Sequence, residues 1–174
     1  MTATLTPLHK TITVPWTPEA AFRRFTDQIA EWWPLESHSV GGKNAERVVF
    51  EGRMGGQIRE FERGGKEHVW GTVLRWEPST RVAFTWHPGE TPDTATQVEL
   101  TFHAGESGTR VDLTHTGWER LGAMARRARR GYPIGWAYVL RLYAGQRSSP
   151  VVYAVDAVMW VVGTAKRLSG AGAG

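Results

Sequence analysis

The chain predicts an α+β fold: a curved antiparallel sheet wrapped around a long C-terminal helix, with two short helices after the first strand. The segment from Gly55 to Trp118 carries the first observation. Short apolar runs alternate there with turn signals, and nearly every run holds an aromatic residue. The second is the pair Glu67 to Pro78 and Arg81 to Gly89, two strands joined through Pro78-Ser79-Thr80. The third is the amphipathic stretch from Pro133 to Ala144, long enough to cover the concave face of such a sheet.

Taken in order, Lys10 to Val14 alternates at period two and stops at Pro15, the pattern of a first strand. Thr17 suits the N-cap and Pro18 the first position of a helix whose apolar stripe is Ala21, Phe22 and Phe25. A second short helix is expected from about Asp27 to Trp33, ended by Pro34. Gly41-Gly42 and Gly55-Gly56 bracket a strand over Arg47 to Glu51, and Gly64-Gly65 turns the Gln57 to Glu62 strand back toward Glu67. Beyond Pro92 come strands over Thr96 to His103 and Thr109 to Trp118, joined by Gly105-Glu106-Ser107-Gly108. The final helix, from Pro133 to Ala144 and stopped by Gly145, sets Trp136, Val139, Leu140 and Tyr143 along one side.

At 174 residues the chain suits one domain that buries about two-thirds of its unfolded surface, so neither a disulfide nor a structural metal is required. It has no cysteine, which excludes disulfides, thiolate catalysis and cysteine-based zinc sites. The opening Met1-Thr2-Ala3-Thr4-Leu5 lacks the basic and apolar blocks of a secretory signal, and a cytoplasmic location is expected. The formal charge of +4 is modest and much of it sits in Arg126-Arg127-Ala128-Arg129-Arg130. Without interleaved aromatic residues that cluster reads as a solvated helix face, and no nucleic-acid partner is expected. Nine tryptophans are the compositional outlier, and they bear directly on what the interior holds.

In their order along the chain, Trp32-Trp33-Pro34, Gly55-Gly56, Trp70-Gly71-Thr72-Val73, Glu77-Pro78, Phe84-Thr85-Trp86, Gly108-Thr109-Arg110-Val111 and Gly117-Trp118 resemble the SRPBCC superfamily of START-like, helix-grip proteins. More narrowly, the chain is similar to the bacterial branch named for homology to the activator of the heat-shock protein 90 ATPase. The likeness runs from about His9 to Tyr143 and lies in the order and spacing of the motifs. It implies a helix-grip fold around an internal cavity that holds apolar or aromatic small molecules, with lipid binding and polyketide cyclase-like chemistry in keeping with the family. Two departures stand out: Pro133-Ile134 ahead of Gly135-Trp136, and an apolar extension from Val151 to Val162.

Periodicity argues for the same interior. In the last strand Val111, Leu113, His115 and Gly117 share one face and Arg110, Asp112, Thr114 and Thr116 the other, so the first set points at the helix. Val98, Leu100 and Phe102 form a second inner row; Val82, Phe84 and Trp86 form a third. These rows either fill the interior as plain core, the commoner use of such side chains, or line a pocket. Candidate ligand-contacting residues are Trp32, Trp33, Trp70, Phe84, Trp86, Phe102, His115, Trp118, Trp136 and Tyr143. His115, polar on an apolar face, either serves a ligand as donor or general base or is a core histidine bonded to a neighbour. Glu60, the other catalytic candidate, either enters the cavity with Ile58 or stays on the surface, where carboxylates are usually found. Trp32 and Trp33 either form a lid over one cavity mouth or anchor their helix to the sheet.

The six histidines show no His-Glu-x-x-His or His-x-His spacing, so no metal and no cofactor are expected. No dinucleotide fingerprint, P-loop or Gly-x-Ser-x-Gly elbow occurs either. The expected function is binding of a lipophilic or aromatic small molecule in a cavity between sheet and helix. Two other classes remain open: an enzyme of the cyclase, dehydratase or hydrolase kind using His115 with a nearby carboxylate, and a chaperone-binding co-regulator. The domain is expected over residues 9–145, followed by an apolar extension over residues 146–168 and a disordered tail over residues 169–174. Ser149 and Pro150 suit the start of a helix to about Val162, although its valine richness leaves a strand as the alternative. Interrupted by Asp156, this run is too short for a transmembrane segment; its stripe of Val151, Val155, Val158 and Val162 packs either on the domain or on a second subunit, as in a homodimer.

Overall fold

One antiparallel sheet organises the chain. Its strands are β1 (Leu8–Val14), β2 (Ala45–Phe50), β3 (Gln57–Glu62), β4 (Glu67–Glu77), β5 (Arg81–Trp86), β6 (Thr96–Gly105) and β7 (Gly108–Thr116). They stand in the order β1-β7-β6-β5-β4-β3-β2, a meander from β2 to β7 that β1 joins by pairing with β7, Leu8 opposite His115 and Val14 opposite Thr109. Helices α1 (Pro18–Phe25) and α2 (Ile29–Trp32) lie in the connection from β1 to β2, and α3 (Ala125–Tyr143) follows the last strand. This computed structural model describes residues 5–147 and Ala154. From position 148 onward, Ala154 apart, the extension and tail read from the sequence, with the homodimer contact placed on them, lie outside the described residues.

The alternation read from the sequence is the alternation of burial. Val111, Leu113 and His115 on β7, Val98, Leu100 and Phe102 on β6, and Val82, Phe84 and Trp86 on β5 are all buried. Register aligns these rows: Leu100 stands between Val82 and Leu113, and Val98 between Phe84 and His115. Two bulges then bend β4. Ile58 pairs with Gly71 but Arg59 with Val69, which leaves Trp70 as the extra residue, and a second shift falls between Val73 and Arg75. At Gly71 the strand approaches β5 so closely that a Cβ would stand 1.8 Å from the Thr85 carbonyl oxygen, so no larger residue fits the bend.

Thr17 caps α1 by accepting from the Ala20 amide at 3.3 Å, and Pro18 occupies the first turn. Its buried face sets Phe22 edge-on to Trp76 and Phe102, with ring centroids 4.9 and 5.3 Å apart. The far end of α3 docks on α1: Tyr143 Oη donates to the Ala21 carbonyl at 2.8 Å, and Arg24 Nε donates to the Tyr143 carbonyl at 2.9 Å. Trp136, in the middle of α3, meets His115 on the concave face of the sheet.

The start of α3 corrects the sequence reading. The helix begins at Ala125 rather than Pro133, so the arginine cluster lies inside it and Pro133 falls well past its first turn. An interior proline removes one backbone donor and crowds the carbonyl four residues earlier. Tertiary contacts outweigh that cost here. Arg129 donates to the Thr6 and Pro7 carbonyls at 2.8 and 3.1 Å, and the Tyr132 ring packs on His115 and Trp118 with centroids 4.8 and 5.2 Å away. Arg126, Arg127 and Arg130 remain exposed, as a solvated face requires. Among the described residues no helix is long and apolar enough to cross a membrane.

Candidate functional site: an aromatic cavity beside the last helix

The two ends of the interior differ. At the α1 end the rings of Phe25, Trp32 and Tyr143 pack mutually at 5.3 to 5.4 Å, and the Trp32 indole donates to the Arg24 carbonyl at 2.6 Å. That end is solid. At the other end, between the loop after α2, the loop after β5 and α3, a cavity of about 330 Å³ remains.

Three indoles build its walls. The ring centroids of Trp33, Trp86 and Trp136 lie 5.7, 5.8 and 6.4 Å from one another. Each indole N–H is spent inside the protein: Trp33 donates to the His38 carbonyl at 2.7 Å, Trp86 to the Tyr132 hydroxyl at 3.2 Å, and Trp136 to His115 Nδ1 at 3.0 Å. The rings are thereby fixed, and the surface they offer a ligand is their carbon skeleton. Ser39 and Val40 form one rim, Pro88 and Gly89 the other, and among the described residues no Asp, Glu, Lys or Arg lines the cavity. From α3 come Tyr132, Gly135 and Val139, while Gly131, one turn before Gly135, lines an adjoining shallow groove. A Cβ built on either glycine meets nothing within 4 Å, so the helix is bare where it borders this open space.

Trp70, the bulge residue of β4, ties both rims to the sheet. Its carbonyl accepts from the His87 amide at 2.7 Å and from His87 Nδ1 at 2.8 Å, which holds the strand end before Pro88. Its indole donates to Glu60 Oε2 at 2.8 Å. Glu60 is fully buried, so of the two placements left open for it the surface one is excluded. Its carboxylate accepts from the Val40 amide at 2.8 Å and the Gly41 amide at 2.6 Å, so it clamps the loop carrying the other rim. Those three N–H donors, rather than a cation, are what make burial of the charge tolerable.

His115 is a core residue. Because Trp136 donates to Nδ1, the ring carries its proton on Nε2, which donates to Thr96 Oγ1 at 2.7 Å. Thr96 in turn donates to the Trp86 carbonyl at 2.9 Å. Burial, reinforced by the positive charge of Arg129, pushes the His115 pKa down to about 3. The imidazole is therefore neutral with both nitrogens committed, and proton abstraction by it would first require breaking the Trp136 bond. Burial also raises the Tyr132 phenol above its ordinary value; the Trp86 N–H opposes this and the charge of Glu90 adds to it. Tyr132 consequently stays protonated at neutral pH.

Of the ligand-contacting candidates, Trp33, Trp86 and Trp136 line the cavity. Trp70 and Phe84 pack behind Trp86, with centroids 5.7 and 5.9 Å from it. His115 and Trp118 lie beneath Tyr132, and Trp32, Phe102 and Tyr143 belong to the solid end. Trp32 is thus an anchor, while Trp33 reaches the cavity. Sequence reasoning missed Tyr132 and the rim residues His38 to Val40, Pro88 and Gly89. Tyr132, Gly135, Trp136 and Val139 share a helical spacing that a helix phased through Pro133 makes visible; the rims, being loops, carry no periodic signal. Among the described residues no three His, Asp or Glu side chains come together in a group suited to a metal ion.

A curled antiparallel sheet closed by a long C-terminal helix defines the helix-grip class of START-like proteins. The chain belongs within it to the family described as Activator of Hsp90 ATPase homolog 1-like protein, whose model matches residues 15–141. Among solved structures, the anthrahydroquino-γ-pyrone synthase Txn09 is 32% identical over 74% of this chain and 88% of its own, with a TM-score of 0.53. Protein MLL2253 from Mesorhizobium loti shares the fold at 18% identity, covering 82% of this chain and 97% of its own with a TM-score of 0.61. The Aha1 dimer from Colwellia psychrerythraea does so at 16% identity, 82% and 99% coverage and a TM-score of 0.56. No functionally curated protein matches the chain.

Proposed function

We propose that the protein binds a neutral, planar aromatic small molecule in the cavity between Trp33, Trp86 and Trp136. The observation that carries this reading is the set of three fixed indoles with, among the described residues, no charged side chain lining the cavity beside them. At about 330 Å³ the cavity stands at the small end of the range for such sites. A flat ring gains stacking worth about 0.5–1.5 kcal/mol per aromatic partner beyond the area it buries. An acyl chain forgoes that gain, and its carboxylate finds no cation on the wall. Cyclase-type chemistry is the second reading, favoured by the 32% identity to a structure described as a synthase. In that case the Tyr132 hydroxyl on the cavity wall would serve as the proton donor, and His115 would act only by holding Trp136.

The test is a titration with fluorene and its ketone, 9-fluorenone, followed by intrinsic fluorescence and calorimetry. Saturable quenching is expected with an affinity on the order of micromolar, and none with hexadecanoate. Trp33→Leu is expected to weaken binding roughly tenfold through loss of one stacking partner. Absence of a saturable change with either tricyclic compound overturns the reading.

A further inference from the structure

The polar inventory of the cavity wall is uneven. All three indole N–H groups already have acceptors, so none is left to meet a ligand. His38 pairs through Nδ1 with Ser37 and stacks on Tyr138 with ring centroids 5.0 Å apart. Ser39, on the loop rim, accepts from the Gly42 amide at 2.9 Å. Ser39 keeps its own hydroxyl proton as well, but on the outer loop; Tyr132 differs in standing against the indole wall. Its hydroxyl oxygen accepts from Trp86, itself a cavity wall, while among the described residues no acceptor lies within hydrogen-bond distance for its own proton.

We infer that Tyr132 makes the cavity selective for planar aromatic ligands bearing a neutral oxygen acceptor, such as a ketone or quinone carbonyl, to which its O–H donates. The inference rests on the binding reading above and adds to it the chemical group that the ligand must present. An N–H donor held on one lone pair of the phenol fixes where its proton can point, because the remaining directions are set by the oxygen's geometry. Raised by burial, the phenol keeps its proton, and with it its capacity to donate, across the neutral range. A hydrocarbon of the same shape forgoes that hydrogen bond while covering the donor, and the loss is what discriminates between otherwise similar ligands. Among the described residues the wall carries no cationic side chain, so a carboxylate or phosphate in the same position gains only the one hydrogen bond and loses hydration.

Fluorenone and fluorene share one flat skeleton and differ at the carbonyl. The wild-type protein is expected to bind fluorenone about five- to tenfold more tightly than fluorene, and Tyr132→Phe is expected to bring the two affinities together, any loosening of Trp86 falling on both compounds alike. The carbonyl stretch of bound fluorenone gives an independent readout: it lies at lower wavenumber in the wild-type complex than in alkane and returns toward the alkane value in the variant. Equal binding of both compounds by wild type, or a preference that survives in Tyr132→Phe, overturns the inference and leaves aromatic binding standing. Failure of both compounds to bind overturns the aromatic reading and this inference with it.

Discussion

Lowering the pH from 6.5 to about 4 is expected to remove about 3 kcal/mol of folding stability, and the loss is expected to trace to His115. The native state holds this imidazole neutral down to a pKa of about 3, whereas the unfolded chain protonates it at 6.5. Between those values the unfolded state binds the extra proton, so stability rises with pH through the window and is lost as pH falls, at about 1.4 kcal/mol per unit. His87, whose pKa burial also lowers against the opposing charge of Glu90, adds a contribution of the same sign. Urea unfolding across a pH series measures the slope. His115→Gln offers Trp136 an acceptor and Thr96 a donor but no titration, so it is expected to flatten most of the slope. A variant as acid-sensitive as wild type would remove His115 from the account.

Glu60→Ala is expected to cost about 3 kcal/mol or more, a fall in Tm of roughly 6–12 °C, because it strands three buried N–H donors at once. Glu60→Gln preserves shape yet turns a donor toward groups that are themselves donors, and is expected to fall between wild type and alanine. Calorimetry gives the stability, and hydrogen exchange at the Val40 and Gly41 amides locates it. Unchanged protection of those two amides in Glu60→Ala would mean that the rim loop is held by something else. The same variant is expected to weaken ligand binding beyond any global effect, since Val40 forms part of the cavity rim.

Strands and inner rows were legible because a half-buried strand writes its burial into alternate residues. Val111, Leu113 and His115 share a face whatever they later touch. The long helix was legible only in part. Proline carries so strong a local signal that Pro133 marked a start, while the contacts that keep it in mid-helix, from Arg129 to Thr6 and Pro7, come from residues distant in sequence. Glu60 illustrates a different limit. A lone carboxylate beside Arg59 and Phe61 reads as surface, and its three donors lie on a loop and on a bulged residue that no alternation pattern can place. Trp33 and Trp32 are neighbours with opposite fates, which turn on how a four-residue helix ends rather than on residue type. The aromatic rows were thus readable as interior, but not whether they fill it or line a cavity, and the rims and the Tyr132 hydroxyl depended on long-range packing.

The bare stretch of α3 at Gly131 and Gly135 has an evolutionary consequence. Glycine in a helix forgoes about 1 kcal/mol relative to alanine, so this chain carries a thermodynamic handicap at both positions. Selection for robustness alone would remove it, and a single base change in a glycine codon suffices to encode alanine or valine. At Gly135 the added carbons would enter the space a guest occupies, since nothing of the protein stands in their way. Gly135→Ala is therefore expected to raise Tm while weakening tricyclic ligands, measurable by calorimetry with and without fluorenone. One codon then acts as a heritable dial on guest size, and descendants of this chain can exchange spaciousness for hardiness without altering any other part of the fold.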